Sequence, residues 1–122
     1  MDIKYGYTEV EWENAKKEIR NILIGVSKNR GLIAYFELSK KVQSIRIEHY
    51  SYALAQMLGE ISTEEDAVGH EMLSAVVVHA RGDMKPGEGF FELARQLGKD
   101  TSNEDKFWIR ELNRVYDYWS RV

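Results

Sequence analysis

Residues 72–98 constrain the fold of this chain most, because they contain its clearest strand signal and its one proline. The run 73–78, LSAVVV, ends in three valines, whose β-branched side chains favour a buried strand. The sequence PGEG follows at 86–89 and predicts a tight loop. Residues 90–97 have a helical pattern, and Gly98 is placed to end that helix in a left-handed conformation. This stretch therefore predicts a core strand, a loop and a helix.

Helical periodicity dominates the chain before this stretch. Thr8 and Glu11 have the spacing of a capping box and predict the start of a first helix, which the turn at 29–31 should end. Residues 32–35 are apolar and predict a short extended piece, and residues 36–42 predict a second helix of two to three turns. We expect these elements to pack together, since the first helix has an apolar stripe along one face.

Two more helices are predicted before the strand and one after Gly98. The third helix should span residues 49–60, with Tyr50 on its apolar face, and Ser62 should open a further short helix to residue 68 as a second capping box. We expect Ser102 to cap the last helix. That helix should dock on the body of the protein through four apolar positions at helical spacing: Trp108, Leu112, Val115 and Trp119. The fold class predicted is α+β and mostly helical, with a small sheet.

Composition limits the kind of protein that this chain can be. Its length of 122 residues predicts a single domain over 1–122, and its net charge of −3 gives no general attraction to phosphate. It has no cysteine, which excludes disulfides and thiolate chemistry. No apolar run approaches the roughly 18 residues of a membrane span, and no signal peptide is recognisable. We therefore expect a soluble cytoplasmic protein with no membrane association.

The order helix, extended piece, helix, helix, strand and loop resembles a winged helix. That resemblance implies a three-helix core in which the third helix reads nucleic acid, and it makes the loop after the strand a wing. Together with this arrangement we expect a small sheet built on residues 73–78, and the apolar spacing of the last helix adds a helix docked on the core.

Residues 31–38, GLIAYFEL, resemble the start of the DNA-binding half of DNA alkyltransferases and alkyltransferase-like proteins, a likeness that covers about half of this chain. Those enzymes carry Pro-Cys-His-Arg at the reactive position, whereas residues 77–81 here read VVHAR, so alkyl transfer to a thiol is excluded. The blocks LSAVVV, PGEGFFELARQLG, FW and YW also resemble small uncharacterised bacterial proteins. This second likeness implies a bacterial origin and no particular activity.

A nucleic-acid site is predicted around the third helix. A reader of the major groove needs basic or amide side chains on its exposed face, and Gln56 is the amide available there. Lys40, Lys41 and Arg46 lie just before this helix and would contact phosphates from the second helix and the turn.

A small-ligand site is the alternative, located in the loop after the strand. Alternate side chains of an extended chain share a face, so His79, Arg81 and Asp83 should form one row. Lys85 adds a second cation. Gly87 and Gly89 leave room for a ligand to approach the N-terminus of the helix that follows. We therefore predict that this loop, if it binds a small ligand or holds an enzymatic site, takes an anionic group. A solvated loop is the simpler interpretation.

No metal, cofactor or catalytic residue is predicted. His49, His70 and His79 do not have the spacing of a metal motif, and the acidic residues at 64–66 suit a helix start. No nucleophile motif or cofactor-binding loop is recognisable, which favours a binding module over an enzyme. A protein partner, or a homodimer formed through the aromatic C-terminal helix, is the alternative to nucleic acid.

Overall fold

The computed structural model describes residues 3–122 and begins with a β-hairpin that the sequence analysis missed. Strands β1 (Ile3–Lys4) and β2 (Tyr7–Thr8) pair antiparallel. Tyr5 and Gly6 form the connecting turn with φ angles of 51° and 87°. Positive φ at both central positions is the geometry of a two-residue hairpin turn, and it suits glycine.

The first half of the helical prediction is confirmed. Helix α1 (Glu9–Lys28) begins at Thr8, where both hydrogen bonds of the capping box are present, and Asn29 ends it. Strand β3 (Ile33–Ala34) and helix α2 (Tyr35–Lys41) follow as predicted.

Helix α3 (Tyr52–Ala67) corrects two predictions. Its cap is Ser51 rather than a residue near 49, so Tyr50 lies outside the helix and is 77% exposed. No separate helix begins at Ser62, because its hydroxyl is buried and shares a 2.6 Å hydrogen bond with the hydroxyl of Ser74. A side chain used in this tertiary contact does not cap a new helix, and α3 continues without a break.

The apolar run 73–78 is fully in the core, as predicted, but only its end is a strand. Leu73–Val76 is a 3₁₀ helix, and strand β4 (Val77–Val78) pairs in parallel with β3. Side chains from the neighbouring helices bind two amides here: the Met72 N–H donates to Glu111 at 3.0 Å, and the Ser74 N–H donates to Ser62 at 3.0 Å. These contacts replace the ladder that a longer strand would need.

Two helices complete the chain. Helix α4 (Glu88–Gln96) is followed by Gly98 with φ of 82°, which confirms the predicted left-handed ending. Helix α5 (Glu104–Arg121) is capped by Asn103 and not by Ser102, because the Asn103 side chain accepts the Lys106 amide at 3.1 Å. The Ser102 amide instead donates to Asp100.

Helix α5 docks on the core as predicted. Val115 is buried, and Trp108 donates through Nε1 to the carbonyl of Ala75 at 2.8 Å. Leu112 and Trp119 pack against the same core. The aromatic stripe of α5 therefore makes its main contacts within the chain, and a homodimer through this helix stays a prediction.

Within residues 3–122, five α-helices and two small sheets confirm the α+β, mostly helical class. The winged-helix arrangement stays a prediction: β3 and β4 pair in parallel over two residues each, and residues 79–87 form a loop. Within residues 3–122, none of the helices has both the length and the apolar content needed to cross a bilayer.

Candidate functional site

An open groove of about 720 Å³ lies between α3 and α4. Its volume falls in the range of small-molecule sites, roughly 300–1,000 Å³. Leu93 supplies half-buried apolar surface, Leu58 and Phe90 line the groove with buried side chains, and a Cβ on Gly59 would make an ordinary contact with the Leu93 side chain at 3.9 Å. The polar residues along it are Ser51, Gln56, Glu60, Thr63, Glu64, Ser74, Glu92 and Gln96.

Tyr35, His79 and Gly87 form a packed corner of this groove. The Tyr35 and His79 rings lie with centroids 4.7 Å apart, and the Gly87 amide donates to the Tyr35 hydroxyl at 3.0 Å. Burial raises the pKa of Tyr35, although the Gly87 hydrogen bond opposes that shift. A Cβ on Gly87 would lie 3.1 Å from His79 Nε2 and 3.3 Å from the Tyr35 hydroxyl oxygen, so this corner requires glycine or a shift of its neighbours.

An exposed aromatic rim, which we define as Phe36, His49 and Tyr50, borders the groove. Its rings contact in series, with centroid distances of 6.1 Å from Phe36 to His49 and 5.0 Å from His49 to Tyr50. His49 and Tyr50 also line the groove. The Lys40 ammonium lies 4.3 Å from the centre of the Phe36 ring. The rim therefore presents aromatic surface to solvent and already binds one cation of its own chain.

The other side of α3 is closed by an ion-pair cluster with α1, formed by Lys16, Arg20, Glu60, Glu64 and Glu65. Lys16 Nζ lies 3.1 Å from Glu60 and 2.6 Å from Glu64. Arg20 bridges Glu64 at 2.6 Å and Glu65 at 2.5 Å. The Lys16 side chain is only 10% exposed, so these pairs are partly shielded from water. Their electrostatic interaction is therefore stronger than that of surface pairs.

Glu60 has a strongly lowered pKa in this cluster. Burial favours its neutral form, but hydrogen bonds from Lys4, Trp12, Lys16 and Gln56 outweigh burial and lower its pKa to about 2. Burial likewise opposes the charge on Lys16, whose pKa is nevertheless raised by its bonds to Glu64 and Glu60. Both groups therefore stay ionised at neutral pH.

The charges that line the groove are all negative. Glu60, Glu64 and Glu92 line it, and no lysine or arginine of residues 3–122 does so. The first two are paired with cations from the α1 side, as described above. Glu92 is exposed and has no ion-pair partner among the residues that the structure describes.

The groove brings together residues of the two sites that the sequence predicts separately. Gln56, assigned to nucleic acid, and His79, Gly87 and Gly89, assigned to a small ligand, all line it.

Arg81, Asp83 and Lys85 do not line the groove. The row expected from extended geometry ends after His79, because residues 80–83 form a bend and a turn in which Gly82 has φ of 78°. Lys85 is held by Asp105 and lies 3.4 Å from Asp83. The two cations expected beside an anionic ligand therefore do not line the groove together with Gly87 and Gly89.

The three predicted phosphate contacts are exposed on α2 and on the loop after it. Lys40 lies on the Phe36 ring, Lys41 ends α2, and the Arg46 side chain is 94% exposed. Glu18 of α1 holds the start of this loop, since its carboxylate accepts from the amides of Gln43 and Ser44 at 2.8 and 3.1 Å.

Sequence reasoning missed Tyr35, Glu60 and Glu92 as groove residues. Glu92 is the one acidic residue in the stretch 90–94, FFELA, but no pattern in the sequence indicates that this stretch packs beside α3. The importance of Tyr35 depends on a contact with Gly87 across 52 positions of chain, which no local pattern shows.

Comparison with family models, with curated proteins and with solved structures finds no match. Among residues 3–122, no group of three or more histidine, aspartate or glutamate side chains is placed to hold a metal ion.

Proposed function

We propose that this protein is a binding module that receives a polypeptide segment of a partner protein in the groove between α3 and α4. The observation that carries the proposal is the exposed aromatic rim beside an open groove. Tyrosine and other aromatic residues are enriched at protein interfaces, where they anchor binding because they bury large areas at low entropic cost. A phosphate backbone fits this groove poorly, because its lining charges are negative.

The chain offers a matched pair of variants for testing this proposal. Ala55 and Ala67 are both exposed residues of α3, but only Ala55 lines the groove. Peptides selected from a random displayed library against the wild-type protein are titrated against Ala55→Arg and Ala67→Arg. We expect Ala55→Arg to weaken binding at least about tenfold by filling the groove, while Ala67→Arg leaves it unchanged. Equal binding to both variants, or no enriched peptide, contradicts the proposal.

Nucleic acid is the second candidate, favoured by the contact between Lys40 and Phe36 and by the exposure of Arg46. Proteins that bind single strands combine basic side chains with aromatic rings on which bases stack. A fluorescent oligonucleotide, single-stranded or duplex, is titrated at two salt concentrations. Affinity that falls steeply with salt and is lost in a Lys40→Glu, Lys41→Glu double variant supports this candidate. No binding at low salt rules it out.

A further inference from the structure

We infer that the segment bound in the groove carries a lysine or arginine side chain next to an apolar anchor, an inference that rests on the proposed function. The anchor would contact the half-buried Leu93 and the exposed Ala55, and the cation would contact Glu92. The partner is thus defined by its chemistry, as a basic and partly apolar segment.

Charge complementarity is the first argument. The carboxylates of the groove differ in how much of their hydrogen-bonding capacity is used. Glu60 accepts from four donors and has little left for a ligand. Glu64 is bound by Lys16 and Arg20 from the α1 side. Glu92 has no such partner in the described part of the chain, so it is the carboxylate available to an incoming cation.

The aromatic surface is the second argument, independent of the first. A cation is attracted to the face of an aromatic ring, and the chain itself gives an example where Lys40 lies over Phe36. Tyr35, His49 and Tyr50 present further rings along the groove. A long basic side chain suits this setting, because its methylene groups pack on apolar surface while its charge stays near water.

Three capped dipeptides that differ in one side chain test the chemistry of the occupant: acetyl-Leu-Arg-amide, acetyl-Leu-Gln-amide and acetyl-Leu-Glu-amide. Each is titrated into the ¹⁵N-labelled protein, and the amide signals of Gly59, Gly87 and Gly89 report on the groove. We expect the arginine probe to shift these signals and to bind about fivefold more tightly than the glutamate probe, the effect of a single exposed ion pair.

Glu92→Lys should abolish or reverse this preference, because it places a cation where the carboxylate was. Glu9→Lys makes the same charge change on α1, outside the groove lining, and should leave the preference intact.

The outcomes separate this inference from the proposed function. Equal binding of the three probes at the groove signals overturns the basic occupant, and so does an absence of shifts up to the solubility limit. If library peptides nevertheless bind in an Ala55-dependent way without a basic residue, the groove remains a polypeptide site and only the inference fails. A preference for arginine that persists in Glu92→Lys also overturns the assignment.

Discussion

Helix α3 has two sides that contrast sharply. Toward α1, its acidic residues are bound by Lys16 and Arg20, and Glu60 also accepts from Lys4 and Trp12. Toward α4, it borders an open groove where Gln56 and the neighbouring Glu92 and Tyr50 face solvent. The same helix is therefore closed by ion pairs on one side and left open on the other.

We propose that the α1 side of α3 serves stability and its groove side serves recognition; Glu60 and Glu64 also line the groove, but their charges are already bound by Lys16 and Arg20. Every buried side-chain nitrogen or oxygen in residues 3–122 has a hydrogen-bond partner, so the interior needs no ligand to satisfy it. Exposed aromatic side chains, in contrast, contribute little to folding and are useful for contacts with a partner. We expect substitutions on the closed side to change the free energy of unfolding, and those on the open side to change binding.

The largest effect is expected from Glu60→Ala. It removes the acceptor of four donors and leaves Lys16 with one fewer carboxylate in a partly buried site. We expect the free energy of unfolding to fall by about 2–4 kcal/mol, measured by urea denaturation. Glu92→Ala is the matched control, because this glutamate is exposed and unpaired in the described residues, and it should change stability by less than about 0.5 kcal/mol. Similar losses in the two variants would contradict the comparison.

Acid should weaken the same closed side. The pKa of Glu60 is about 2 in the folded protein against an ordinary value of 4.5. Its carboxylate therefore stabilises the fold fully above pH 4.5 and loses that contribution as the pH falls toward 2. The loss should reach up to about 3 kcal/mol. Urea denaturation between pH 6 and pH 3 should show a shallower dependence in Glu60→Gln, and an unchanged slope would contradict this cause.

Two glycines of the open side should differ in their response to alanine. Gly87→Ala places a Cβ against His79 and Tyr35, so it should cost about 1 kcal/mol of stability. Gly89→Ala has open space at its Cβ and lies within α4, where alanine favours the helix by up to about 1 kcal/mol. Thermal denaturation of the two variants distinguishes them, and a Gly87→Ala variant at least as stable as the wild type would show that the corner is not tightly packed.

Local signals account for the parts of the fold that were predicted correctly. The Thr8 capping box and Gly98 depend on a few neighbouring residues, and both are confirmed. The local signal at Ser62 is equally good, but the prediction of a helix start there is wrong. Its hydroxyl is hydrogen-bonded to the Ser74 hydroxyl in the packed structure. The run 73–76 is a 3₁₀ helix, and tertiary contacts again replace a strand partner: Glu111 and Ser62 accept from the amides of Met72 and Ser74, and Trp108 donates to the Ala75 carbonyl.

The candidate site was predictable only in part. Gln56, His79 and the glycines of the loop were named from sequence and line the groove. Arg81 and Asp83 were expected beside them, but the turn at Gly82 directs the chain away after His79. The groove itself arises from the packing of α3 against α4, and a contact between two helices this far apart in sequence has no periodic signature.

Tyr50→Ala should have the smallest effect on stability and a large effect on binding, and this pair of readouts tests the central claim most directly. Tyr50 is 77% exposed and lies outside any helix, so its removal should change the free energy of unfolding by less than about 0.5 kcal/mol. We expect the same variant to bind a library-selected peptide at least about tenfold more weakly, as for an interface anchor. Unchanged binding, or a stability loss as large as that of Glu60→Ala, would contradict the separation of the two surfaces.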